Sequence, residues 1–234
     1  TQAGEHVKEV ATNIEREILG ADGAPIGKDT HLIGPLRVTA INNMASTILM
    51  PMFADFSNQH PLVKLHIIVS NMDASLAQRH ADVAIRLTNS PTDTLIGRRI
   101  VTVASTIYGS RSYIEKLRQQ HREPKWIGVD CCGFHKAWTK QACGEQPHNF
   151  ISDDTLLTIA AIKEDLGVSI LPCFMGDADQ ELVRYCDPDP AYDLGLWVLL
   201  HPDLKRTARV LTFRDHMISA INQKKDLFEG KHLN

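Results

Sequence analysis

The chain has 234 residues, 43% of them apolar and 23% charged, an ordinary globular composition with material for one large domain or two small ones. A net charge of −3 and a pI near 6.4 argue against a direct nucleic-acid grip, because such domains are usually basic. No apolar run reaches the roughly 18 residues of a membrane span, and Thr1-Gln2-Ala3-Gly4-Glu5-His6 shows neither an initiator Met nor a secretory pattern. The chain is therefore expected to lack an N-terminal part.

The first 19 residues read as one amphipathic helix. Val7, Val10, Ile14 and Ile18 fall on a narrow stripe that suits a coiled-coil seam, hence a dimerisation helix; a terminal helix folded back on its own domain is the alternative. Gly20 to Lys28 is rich in Gly and reads as a linker. Leu36–Ala40 alternates as a strand, and Asn42-Asn43 reads as a turn. Leu49, Met52, Phe53 and Phe56 then recur at helical spacing until Pro61. Val63 to Val69 is a second strand, Asp73 to His80 a short polar helix, Asp82 to Leu87 a third strand and Ile100 to Tyr108 a fourth.

The second half repeats this style. Ser110 caps a helix to about Gln119, and Trp126–Val129 is a short strand. His135 to Ala142 is helical, and Phe150-Ile151 is a short strand. Asp153 or Asp154 caps the helix Thr155 to Asp165, which Gly167 closes at its C′ position. Val168–Leu171, ended by Pro172, and Leu196–Leu200 are strands, and a last helix from Thr207 to Asn222 carries Val210, Phe213, Met217 and Ile221 on one face. Strands alternating with helices predict an α/β protein with mostly parallel pairing. The strands are too many for one compact sheet, so two sheets are expected.

The sequence lacks GxSxG, GxGxxG, GxxxxGK[ST] and HExxH, so no catalytic residue and no cofactor is expected. Five cysteines without a CxxC fit a reducing cytoplasm better than a disulfide framework. Cys131-Cys132-Gly133-Phe134-His135 with Cys143 is the densest reactive cluster; a thiol sensor or metal site is one reading, and plain core or surface cysteines another. The spacing is not a standard zinc pattern, and no metal is expected. Asn42, Asn43 and Ser46, then Ser70 and Asn71, then Thr88 and Asn89 each lie just past the C-terminal end of a predicted strand. In open α/β sheets ligands bind at that edge. Turn and cap residues have the same composition, so both readings stand here.

With these residues laid out, the sequence resembles the effector-binding half of the bacterial LysR-type transcriptional regulators. The resemblance runs from residue 1 to about 222 and rests on the order of weak motifs. They are Thr1-Gln2-Ala3-Gly4-Glu5, Gly34 to Thr39, Leu49 to Phe56 followed by His60-Pro61-Leu62-Val63, Ala81 to Arg86, and Leu166 to Pro172. It implies the type 2 periplasmic-binding-protein fold: two Rossmann-like subdomains joined by two hinge-crossing strands and preceded by a linker helix. The helix would be 1–20, subdomain one 34–101 plus 202–225, and subdomain two 102–201. It also implies an effector cleft lined by Asn42, Asn43, Met44, Ser46, Ser70, Asn71, Thr88, Thr102, Ser105, Asp130 and Asp153. The implied partners are a small-molecule effector, further copies of the chain in a dimer or tetramer, and DNA only through a winged helix-turn-helix absent here; no membrane is implied. A solute-binding protein of a transport system shares the fold, and a redox sensor using Cys131, Cys132 and Cys143 is the other alternative.

Overall fold

A computed structural model describes residues 31–70, 81–91, 95–130, 132–144, 146 and 148–231. The helix expected over 1–20 with Val7, Val10, Ile14 and Ile18, the linker after it and the helix expected over 73–80 lie outside these residues. In chain order the strand β1 (Gly34–Ala40) leads into a helix that opens at Asn42–Met44, passes through a π-helical stretch at Ala45–Leu49 and continues as α1 (Met50–Gln59). Then come β2 (Val63–Val69), β3 (Val83–Thr88), β4 (Ile96–Val103), β5 (Ser105–Ser110), α2 (Arg111–Gln120), β6 (Ile127–Val129) and α3 (Gly133–Cys143). The chain ends with β7 (Phe150–Ser152), α4 (Thr155–Lys163), β8 (Ser169–Pro172), α5 (Cys173–Gly176), β9 (Leu182–Arg184), β10 (Leu194–Leu200), α6 (Ala208–Gln223) and α7 (Lys225–Phe228).

Alternation in β1 turns Leu36, Val38 and Ala40 into the first core, and all three are fully buried. The four apolar positions of α6 are buried against the same sheet, and Phe213 meets Phe56 of α1 edge-on with ring centroids 5.0 Å apart. This sheet has the order β2-β1-β3-β10-β4. A second body is built from the sheet β8-β5-β9 and the pair β6-β7, joined by a bridge between Trp126 and Val168. Its core holds Ile114, Trp126, Trp138, Val168 and Ile170.

Several expectations need correction. The pairing is mixed: β1 is parallel to β2 and β3, but β10 runs antiparallel to β3 and β4, and β5 antiparallel to β8 and β9. β10 brings the chain back to the first sheet and so enters it against β3. All seven of its residues pair there, within the stretch 194–201 that the sequence alone groups with the second subdomain. The strand expected from Ile100 to Tyr108 breaks at Ala104, where the chain leaves one sheet for the other. Asn42-Asn43 begin a helix and are not a turn. Finally, Asp165, not Gly167, is the left-handed residue that closes α4.

Candidate functional site

A cavity of about 350 Å³ lies where the two sheets face each other. Ile41, Asn42 and Asn43 after β1, with Arg86 and Thr88 of β3, line it from the first sheet. Cys132, Phe134, His135 and Trp138 at the start of α3, and Asp153, Asp154 and Thr155 at the start of α4, line it from the second body. Val103 and Ser105 at the crossing, Pro172 and Leu194 complete the lining. Two other hollows, about 300 Å³ beside Asp130 and Lys136 and about 530 Å³ around Asp177 and Arg184, are each lined from the second body alone.

Two hydrogen bonds cross the cleft. The Asn42 Nδ2 donates to Asp154 Oδ2 at 3.4 Å, and the Asn43 Nδ2 donates to Thr155 Oγ1 at 3.2 Å. Both acceptors belong to the N-terminal turn of α4, where Asp154 is the N-cap and takes the Leu157 N–H at 2.9 Å through its other oxygen. Asp154 thus spends its charge on a helix start and a partner across the gap.

Arg86 is 4% exposed, a cation held inside the wall. Its guanidinium donates to Thr39 Oγ1 at 2.9 Å and to the Ile85 carbonyl at 3.2 Å. The N-termini of α3 and α4 also meet the cavity, and helix N-termini favour negative charge. The opposite quarter is apolar and aromatic. Trp138 meets Phe134 at 5.0 Å and Tyr192 at 5.5 Å in tilted ring contacts, and His135, bonded to the Ile170 carbonyl, lies edge-on to it. Such a cavity can hold a small molecule with an acidic group at one end and a flat or apolar body at the other.

Residues 30–221 match the family model of the LysR substrate binding domain. The chain belongs to this family. It is similar to an HTH-type transcriptional regulator of Xanthomonas campestris pv. campestris, with 28% identity over 116 residues that cover 50% of this chain and 34% of that protein. The chain thus spans about a third of that relative's length. Among solved structures it resembles the full-length virulence activator AphB of Vibrio cholerae, a member of the LTTR protein family, with a TM-score of 0.68 at 19% identity over 94% of this chain and 79% of that one. It also resembles the CrgA regulatory domain of Neisseria meningitidis, with a TM-score of 0.64 at 16% identity over 80% and 98% of the two chains. At such identities these two structures bear on the fold, which is the type 2 periplasmic-binding-protein-like arrangement of two subdomains.

In this LysR domain the cavity gathers Asn42, Asn43, Thr88, Ser105 and Asp153 from the residues singled out in the sequence. Others go elsewhere. Met44 is fully buried in the first core. Ser46 is exposed and donates to the Asn42 carbonyl at 2.7 Å along its own helix. Ser70 follows β2, the outer strand, one position too far from the cleft. Asn89 pins its loop to β10 through the Asp193 carbonyl and the Gly195 N–H. Thr102 accepts from Arg99 at 3.0 Å, because alternation gives the cleft to Val103 and turns Thr102 away. Asp130 pairs with Lys136 beside the smaller hollow, and Asn71 lies outside the described residues.

The sequence reading missed Arg86, Phe134, Trp138 and Thr155 as lining residues. Arg86 left a signal: a charge inside the apolar run Val83–Leu87 is out of place unless it is used. Among the described residues the cysteines of that cluster do not come together. Cys132 and Cys143 stand at opposite ends of α3, about 16 Å apart along its axis, far beyond disulfide reach. Cys131 lies outside the described residues. Among the described residues no group of three or more His, Cys, Asp or Glu side chains could hold a metal ion, and no helix is long and apolar enough to cross a membrane.

Proposed function

We propose that this LysR domain senses a small polar metabolite, acidic at one end, in the cleft between its subdomains. The observation that carries the reading is the pair of hydrogen bonds from Asn42 and Asn43 to Asp154 and Thr155, which span the cleft beside the cavity. A ligand seated there contacts both sides of those bonds, so it binds the closed and open arrangements unequally, which is what a sensor requires. The buried Arg86 supports an acidic group near β3, and Phe134, Trp138 and Leu194 support an apolar body. Thr88, Ser105 and Asp153 supply further polar contacts.

On this reading the first subdomain comprises 34–101 with 202–225, joined by β10, and the second is the stretch between without β10. Val7, Val10, Ile14 and Ile18 pair copies of the chain, and the subdomain angle is relayed through that oligomer to a DNA-reading part of the full regulator.

A thermal-shift screen of small carboxylates and other polar metabolites tests it. At a hundredfold excess over Kd a true effector stabilises the fold by about 2.7 kcal/mol. That gain is expected to vanish in Thr88→Leu and Arg86→Gln and to survive in Ser46→Leu, outside the cavity. A hit whose stabilisation persists in Thr88→Leu counts against the site.

A further inference from the structure

The chain leaves the first sheet at Val103 and enters the second at Ser105, so Ala104 alone links the two at this crossing. Both of its backbone groups are taken by other segments. Its N–H donates to the Phe228 carbonyl at 2.9 Å, and its carbonyl accepts the Cys173 N–H at 2.9 Å. Phe228 belongs to a stretch beyond residue 221, where the family match ends. That stretch follows α6 of the first subdomain and runs back over the crossing. Phe228 is fully buried against Phe174 of α5, with ring centroids 5.4 Å apart.

The end of the same stretch is held by the second body. Arg184 of β9 donates from Nη2 to the Gly230 carbonyl at 2.7 Å. The guanidinium is itself braced by Asp177, which also accepts the Tyr108 hydroxyl at 2.7 Å. Gly230 has φ near +65°, and a Cβ there would stand 2.9 Å from Cys173 Sγ. A residue without a side chain is what lets the turn close on α5.

We propose that Lys225–Lys231 is a strap across the interdomain hinge: tied to Ala104 at the crossing and to Arg184 on the second subdomain, it holds the angle between the subdomains. The strap itself stands on these contacts alone, while its effect on sensing rests on the cleft reading above.

Amide hydrogen exchange on the ligand-free protein tests the strap. Three chains are compared: the full chain, Gly230→Ala, and a chain ending at Lys224. The amides of Ala104 and Cys173 are expected to exchange at least about tenfold faster in both variants, while Val38 and Ile85, in the middle of the first sheet, keep their protection. Unchanged protection at Ala104 in both variants overturns the proposal. So does an equal loss across Val38 and Ile85, which would make the segment part of the general fold. Gly230→Ala keeps the test open if the shortened chain fails to fold. Because no ligand is used, failure of the strap and failure of the effector site are read separately.

Discussion

Asp165 stands at the C′ position of α4 with φ near +58°, a conformation in which Gly or Asn is the usual residue. Its N–H bonds the Ile162 carbonyl and the Leu166 N–H bonds the Ala161 carbonyl, the two closures of a Schellman turn. The side chain repays the awkward backbone, since it accepts from Ser110, from Ser112 at 2.8 Å and from Lys116 at 2.7 Å. It thereby ties the end of α4 to the start of α2. Lys116, with Ser110 next, holds the carboxyl below its ordinary value of about 3.8. A depressed carboxylate adds stability that is present above the unfolded pKa and is lost as pH falls through the folded one. Asp165→Asn is therefore expected to lower stability by about 1 kcal/mol at neutral pH. In urea unfolding the gap to the parent chain should close as pH drops below about 3.8. Gly167, expected from the sequence to close that helix, serves a different purpose: a Cβ there would stand 2.5 Å from the Lys125 carbonyl, so it permits the backbone before β8 to approach Lys125.

The elements themselves were largely legible. The burial of Leu36, Val38 and Ala40 in β1 and of the four apolar positions of α6 follows directly from the residues, because each periodicity has one geometry that hides it from water, although Thr39 on the other face of β1 is buried as well. The start of α4 was read as Asp153 or Asp154, and packing selects Asp154, whose carboxylate reaches the Leu157 N–H. Asp154→Ala is expected to cost about 1 kcal/mol in thermal unfolding, whereas Asp154→Asn, which keeps a capping oxygen, should cost a few tenths. A loss of similar size in both would point to the charge and not the cap. The short elements α5, β9 and α7 left no sequence signal. Three or four residues are too few to show a period, and their form comes from what they pack on.

At the scale of the whole molecule, Asn42 and Asn43 join two subdomains through partners 112 positions away in the chain. Replacing both with Ala removes two bonds of about 1 kcal/mol each and shifts a closed-to-open balance by a factor of about 30. Small-angle scattering of the ligand-free double variant should show a larger radius of gyration than the parent chain. An unchanged radius would mean that these bonds do not hold the cleft. Asn42, Asn43 and Thr88 could be read from the sequence because strand ends announce themselves locally, whereas Ser105, Asp153, the family and its two-subdomain fold came from the resemblance carried by the order of weak motifs. Which junctions meet was decided only when the sheets assembled. Sheet order put β2 at the edge and took Ser70 from the cleft, and alternation gave the cleft Val103 in place of Thr102. The return of β10 antiparallel to β3 completed the wall that encloses Arg86. Local pattern reports which face a residue takes, and only packing between distant segments decides what that face looks upon.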